Sequence, residues 1–353
     1  AQELRTFAEK GYVGDRYGVD GGFVLRQVNL NGQDRVFMFG AMGLGGRGAY
    51  ALDLSKINEN YPAAAPLFDV KNGDKNGKNG KNRVEVELGY TVGTPQIGKT
   101  QNGKYAAFLA SGYAAKQIAS QENKTALYVY DLKDTLGTPI AKIEVKDGKG
   151  GLSSPTLVDK DLDGTVDIAY AGDRGGNMYR FDLSNSDPGK WSVSTIFEGT
   201  KPITSAPAVS RLADKRVVIF GTGSDLTEDD VLNTGEQYIY GIFDDDKGTV
   251  KVTVQNGTGG GLLEQVLTQE NKTLFLNKGS DGSGSKGWAV KLTDGRRVTV
   301  KPTVVLRTAF VTIRKYKDDG CGADTAILGI NTADGGALTP RSARPIVPEA
   351  NTA

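Results

Sequence analysis

Nine consecutive residues in the middle of the chain, Asp159-Lys160-Asp161-Leu162-Asp163-Gly164-Thr165-Val166-Asp167, set carboxylates at positions 1, 3, 5 and 9 of a loop and a glycine at position 6. Alternating acids on a tightly curled backbone point their oxygens at one centre, which suits Ca²⁺, a hard cation that takes about 6–8 oxygen ligands. Asp159, Asp161, Asp163 and Asp167 are the candidate side-chain ligands. Thr165, at position 7, offers its backbone carbonyl, and water completes the shell. Gly164 permits the sharp turn. Mg²⁺ fits worse, because the loop offers more protein oxygens than an ion that keeps its waters accepts. The competing reading is an acidic hairpin that uses Asp and Gly only for their turn preference; a match at every ligand position speaks for the metal. The loop is not an EF-hand, since position 12 is Tyr170 instead of a bidentate Glu, and the flanking PTLV and VDIAYAG read as strands.

Composition narrows what else the chain can do. There is no histidine, which removes every Ser-His-Asp or Cys-His catalytic arrangement and every histidine-ligated metal. The one cysteine, Cys321, cannot form an intrachain disulfide and reads as a small buried or half-buried residue. Lys+Arg 43 against Asp+Glu 42 gives a formal charge of +1, too little for a global field that draws a nucleic acid or an anionic membrane. No run approaches the ~18 apolar residues of a membrane helix. The opening AQELRTFAEK lacks a basic-then-apolar signal pattern, so the chain reads as a fragment of something longer, with any signal peptide absent from it. Gly43, Gly45 and Gly48 match GxGxxG, but a strand, AYALDL, follows where a helix is required, and a wide hairpin turn is expected. Asp69, Asn72 and Asp74 read as a bare loop in preference to a second, poorer cation site. Glu228-Asp229-Asp230 and Asp244-Asp245-Asp246 lack the alternation and read as exposed turns.

The elements that must position the acidic loop come from an internal repeat. Glycine, 48 of 353 residues, is close to twice its usual share of about 7%, which implies many tight turns. Three segments open with a small residue, a proline and a short apolar strand: GTPQIG (Gly93–Gly98), SSPTLVD (Ser153–Asp159) and SAPAVSR (Ser205–Arg211). Each leads to a second strand (YAAFLASGY, VDIAYAGD, RVVIFGTG) and a third (ALYVYDL, NMYRFDL, QYIYGIF). RVFMFGAMG and GAYALDL repeat the template near the N-terminus. Fourth strands are expected at PIAKIEV, WSVSTIF and VKVTV, and a degenerate fifth copy runs from GWAVKL through AFVTIRKY to TAILGI. The spacing brackets the ~40–45-residue blade of a propeller, which leaves room for about seven blades. The expected fold is therefore all-β, a modified β-propeller of four-stranded antiparallel meanders with long inter-strand loops. A β-sandwich is the runner-up, and the regular recurrence speaks against it.

Residues 1–338 are assigned to the propeller, with an Asn/Gly/Lys-rich loop at 70–83 and a Gly/Ser-rich loop at 255–286, and residues 339–353 form a C-terminal tail. Both loops, the tail and the residues up to about Gly22 are expected outside the blades. Lys71, Lys75, Lys78, Lys81 and Arg83 could contact a polyanion, but nothing aromatic is interleaved to stack on a base, which favours a solvated loop.

With these residues in hand, the chain resembles the C-terminal domain of the PilC/PilY family of type IV pilus-associated proteins. The resemblance rests on GAMGLGGRGAYALDL, LGYTVGTPQIGK, SSPTLVDKDLDGTVDIAYAGDRGGNMYRFDL and PITSAPAVSRLADKRVVIFGTGSDL followed by QYIYGIFDD, and it spans about Gly22 to Leu338. The wording looks most like the neisserial PilC branch. The family implies a propeller from a larger bacterial surface protein, at the pilus tip or in the outer membrane, that attaches to host cells and opposes pilus retraction under control of the calcium loop. Pilin or minor pilins and the host-cell surface are then the partners, with no nucleic acid and no membrane span, and no enzymatic activity is expected. No Arg-Gly-Asp occurs, so an integrin contact has no anchor. Two alternatives are an FG-GAP-like binding propeller in which calcium merely stabilises a hairpin, and a quinoprotein-type dehydrogenase. Trp191 and Trp288 are too few for the tryptophan contacts of the latter.

Overall fold

The structure, a computed structural model, describes residues 21–55, 60, 65–75, 84–134, 136–247, 251–278, 284–338, 343–345 and 347–348. Most of the leading segment, 76–83 of the Asn/Gly/Lys-rich loop, 279–283 of the Gly/Ser-rich loop and much of the tail lie outside these residues. The chain divides into two compact units, one of Ala1–Asp167 with Leu183–Ser192, the other of Ile168–Asp182 with Val193–Ala353.

In the first unit β1 (Phe23–Leu30), β2 (Gln33–Ala41), β3 (Gly48–Asp53) and β4 (Ala65–Lys71) form an antiparallel meander. The Gly-rich link from β2 to β3 is the wide turn expected, with a single 3-10 turn at Gly43–Gly45. A second meander comprises β5 (Gln96–Lys99), β6 (Tyr105–Ala110), β7 (Ala126–Asp131) and β8 (Pro139–Glu144). β6 and β7 are buried along almost their whole length, so apolar material covers both of their faces. Phe39, Phe68 and Tyr130 meet in the core of this unit, with ring centroids 5.9–6.3 Å apart. β9 (Thr156–Val158) then leads into the acidic loop.

In the second unit β10 (Ile168–Gly172) pairs antiparallel with β11 (Asn177–Asp182), and β12 (Ser192–Glu198) lies beside β11. β13 (Ala208–Leu212), β14 (Lys215–Gly221) and β15 (Gln237–Asp244) form another antiparallel meander. Pro95, Pro155 and Pro207 each stand immediately before a first strand, β5, β9 and β13, where the ladder asks no donor of them.

Beyond β15 the order departs from the expected repeat. VKVTV supplies β16 (Val252–Thr253), which pairs parallel with β12 and not with β15. The stretch 255–286, expected as a surface loop, contains a hairpin of β17 (Leu262–Glu270) and β18 (Thr273–Lys278), turned at Asn271 with φ +54°. The neighbour of β15 is β19 (Gly287–Leu292), the GWAVKL assigned above to a fifth copy. Side-chain volume explains this pairing. Gly241 faces Trp288 in register, and a Cβ at 241 would lie 2.1 Å from the indole ring. Trp288 is completely buried, and its Nε1–H donates to Thr332 O at 2.8 Å.

The last sheet is built on β20 (Thr303–Val305), β21 (Thr308–Tyr316) and β22 (Ala323–Asn331). The tail, expected outside the sheets, contributes β23 (Ala343–Pro345) to the edge of β18 and β24 (Val347–Pro348) to that of β22. Among the described residues the strands form five sheets, fewer than the period suggests. One sheet alone takes seven strands, in the order β13-β14-β15-β19-β17-β18-β23, and long connections use chain that the period assigns to blades.

Three local expectations are corrected. Cys321 is exposed because it stands at the tip of the hairpin between β21 and β22, where its N–H donates to Asp319 Oδ1 at 2.9 Å. Glu228-Asp229-Asp230 opens a short helix, α1 (Glu228–Leu232), whose N-terminus is closed by reciprocal Thr227–Asp230 bonds. Asp244 is buried, accepting from the Tyr170 hydroxyl and from Arg180 Nη1, because a carboxylate paired with an arginine tolerates loss of water.

Candidate metal centre

The acidic loop joins β9 to β10 and is closed at its base by backbone bonds. The Asp167 N–H donates to Val158 O at 2.9 Å, and the Asp167 carbonyl accepts from Leu183 N–H at 2.9 Å. Val166 N–H donates to Lys99 O at 2.8 Å, so the end of β5 also holds the loop. The two ends of the loop, Asp159 and Asp167, are thereby brought together.

Inside the loop the carboxylates organise the backbone that carries them. Asp159 accepts from Asp163 N–H at 3.2 Å on Oδ1 and from Gly164 N–H at 2.7 Å on Oδ2. Asp163 Oδ1 accepts from Thr165 N–H at 2.8 Å and from Thr165 Oγ1 at 2.6 Å. Asp167 Oδ2 accepts from Lys160 N–H at 2.7 Å. The Asp163–Thr165 bond is an Asx turn of the kind Asp favours, and the others span the loop. Two residues sit in the left-handed region, Gly164 at φ +89° and Leu162 at φ +59°. Gly164 does so without penalty; Leu162, 88% exposed, holds a conformation that costs a non-glycine residue about 1–2 kcal/mol.

The structure brings all four acids together. Asp159, Asp161, Asp163 and Asp167 present oxygens that lie within 4.8 Å of one another, and among the described residues no other group of three or more acids or cysteines gathers so closely. Asp161 and Asp163 are exposed, Asp159 and Asp167 half-buried. Thr165, half-buried, spends its hydroxyl on Asp163. Crowding that strips water from Asp161, and then the charge of Asp167, raise the Asp161 carboxyl above the ordinary Asp value; the Thr165 hydroxyl and N–H hold Asp163 below it. The donor set suits a hard divalent cation: four carboxylates on one centre, no sulfur or nitrogen ligand, and an acid that is costly to ionise beside its neighbours.

The second candidate loop is committed elsewhere. Asn72 Oδ1 accepts from Leu88 N–H at 2.8 Å, which ties it to a segment further along the chain, and Asp74 Oδ2 accepts from Lys71 N–H at 3.1 Å, which closes the turn after β4.

One neighbour of the centre has no signature in the sequence. Gln101, on the turn between β5 and β6, donates from Nε2 to Asp167 Oδ1 at 2.8 Å and to Val166 O at 3.1 Å. A lone glutamine in a TxNGK turn carries no pattern, and only the packing of two hairpins places it here.

Comparison with known proteins gives a consistent result. A family described as the PilY1 β-propeller domain matches residues 1–279. The type IV pilus biogenesis factor PilY1 of Pseudomonas aeruginosa is 30% identical over 312 residues, covering 78% of this chain and 25% of that protein. A PilY1 homologue of Xylella fastidiosa is 29% identical over 256 residues, covering 65% of this chain and 16% of its own length. The chain thus spans about a quarter or less of the curated relatives it matches. The crystal structure of the Pseudomonas aeruginosa PilY1 C-terminal domain aligns with a TM-score of 0.72 at 24% identity, covering 90% of this chain and 71% of that one, and shows the same fold.

Proposed function

The chain belongs to the PilY1 β-propeller domain family, and from that premise we propose that it is the calcium-binding propeller of a type IV pilus biogenesis and adhesion protein, regulating pilus retraction and supporting attachment to host cells. The observation that carries this reading is the gathering of four carboxylates, with oxygens within 4.8 Å, on the loop between β9 and β10. Asp159, Asp161, Asp163 and Asp167 would hold Ca²⁺ through their side chains and Thr165 through its carbonyl. A bound Ca²⁺ supplies positive charge that offsets the mutual repulsion of the four acids. In its absence Asp161, exposed on the crest of the loop, is the acid freest to move away, because Asp159 and Asp167 lie at the tied base and Asp163 accepts two bonds from Thr165. The surface that changes is local and is read by a pilin or minor pilin, a two-state switch set by charge. The protein acts by binding and not by catalysis, at the bacterial surface, on the pilus tip or the outer membrane.

Retraction-driven twitching tests the switch. A strain whose only copy carries Asp161→Ala is expected to twitch alike with and without added calcium, in the manner of the parent without it. Calcium-responsive twitching in that strain would overturn the reading.

A further inference from the structure

We propose that Gln101 is a positioning residue of the calcium site, whose side-chain amide fixes Asp167 in its ligating orientation and ties the acidic loop to the β5–β6 hairpin. The inference rests on the calcium reading above and names a residue of that site outside the acidic loop.

The amide of Gln101 carries two protons, and the structure gives it two acceptors on one dipeptide, Asp167 Oδ1 at 2.8 Å and Val166 O at 3.1 Å. The other oxygen of Asp167 accepts from Lys160 N–H at 2.7 Å. Donors from two separate segments therefore fix the plane of a single carboxylate, and rotation about its side-chain bonds is already restricted before any ion arrives. Gln101 is itself anchored. Its turn is closed by Thr100 N–H to Lys104 O at 2.8 Å and Gly103 N–H to Thr100 O at 2.9 Å, with Gly103 at φ +81° and Thr100 buried. Val166 N–H donates to Lys99 O at 2.8 Å, so backbone and side-chain bonds join hairpin to loop side by side.

The chemistry of the residue also fits. A lysine or arginine at 101 would place a fixed positive charge against Asp167 and compete with a cation. A neutral amide orients the carboxylate and leaves its charge for the ion. Partners of this kind, which hold a metal ligand without touching the metal, govern affinity in many sites.

The test compares the 353-residue chain with Gln101→Met, which keeps the length of the side chain and removes the donor. Calcium affinity is measured by titration calorimetry. The water count on bound Tb³⁺, an oxygen-seeking stand-in for Ca²⁺, is taken from luminescence lifetimes in H₂O and D₂O. Gln101→Met is expected to weaken calcium binding by about ten-fold or more, to admit an additional water on Tb³⁺ as Asp167 lets go, and to leave melting in EDTA unchanged. A general packing role would move the melting and not the water count. Where Gln101→Met lowers the melting temperature in EDTA, Gln101→Ala is read in its place by the same criteria. Unaltered affinity and unaltered hydration overturn the inference alone, provided Asp161→Ala abolishes binding. Absence of calcium binding by the unmodified chain overturns the calcium reading and this inference together.

Discussion

Gln101 and Asp167 stand 66 residues apart in the chain, yet the Gln101 amide reaches Asp167 Oδ1 at 2.8 Å. The base of the acidic loop is thus held by groups that no ion needs to supply, while Asp161 and Asp163 stand exposed at its crest. That division of labour separates effects on the site from effects on the fold.

Chelation should loosen the crest without unfolding the sheets. Binding to the folded state alone stabilises by about 2.7 kcal/mol at a hundred-fold excess over Kd, which corresponds to a shift of a few degrees in a domain of this size. Melting followed by circular dichroism in calcium and in EDTA is expected to show two cooperative transitions separated by that shift. Loss of all β signal at room temperature in EDTA would make the ion a structural requirement and remove the switch.

Gly164→Ala isolates backbone strain. A Cβ at this position meets nothing within 4 Å, but the residue sits at φ +89°. The expected cost is about 1–2 kcal/mol, confined to the loop, seen as weaker calcium binding with little change in the EDTA melt. Unchanged affinity would mean that the turn relaxes to accept the methyl group.

Asp244→Asn addresses the buried pair in the second unit. Asp244 accepts from Arg180 and from Tyr170, and both it and Arg180 are buried. Removing its charge leaves the guanidinium uncompensated and is expected to cost about 3–5 kcal/mol by urea denaturation, with calcium affinity unaltered. A loss much below that range would show that Arg180 finds a new partner or water.

Much of this architecture is legible in the chain itself. The three Pro-led units give β5 to β7, β9 to β11 and β13 to β15 in order, because turn chemistry and short apolar runs are local signals. The acidic loop is equally local as a signal: the spacing of Asp159, Asp161, Asp163 and Asp167 is enough to predict that their oxygens gather, as they do. What escapes is every relation between distant segments. The choice of β19 over β16 as the neighbour of β15 follows from Trp288 lying over Gly241, a fit of shapes that neither stretch announces. The β17–β18 hairpin is masked by the glycines and serines around it, although its two strands pair antiparallel over six residues. Asp244 looks like part of an exposed acidic turn until Arg180 and Tyr170 close over it. Gln101 is invisible for the same reason.

The most direct measurement is a calorimetric titration of Ca²⁺ into the 353-residue chain beside its Asp161→Ala variant. One ion per chain, bound saturably by the parent and not by the variant, is the expected result. Heats no larger than dilution in the parent, or equal binding by the two proteins, would contradict a calcium site at the loop between β9 and β10.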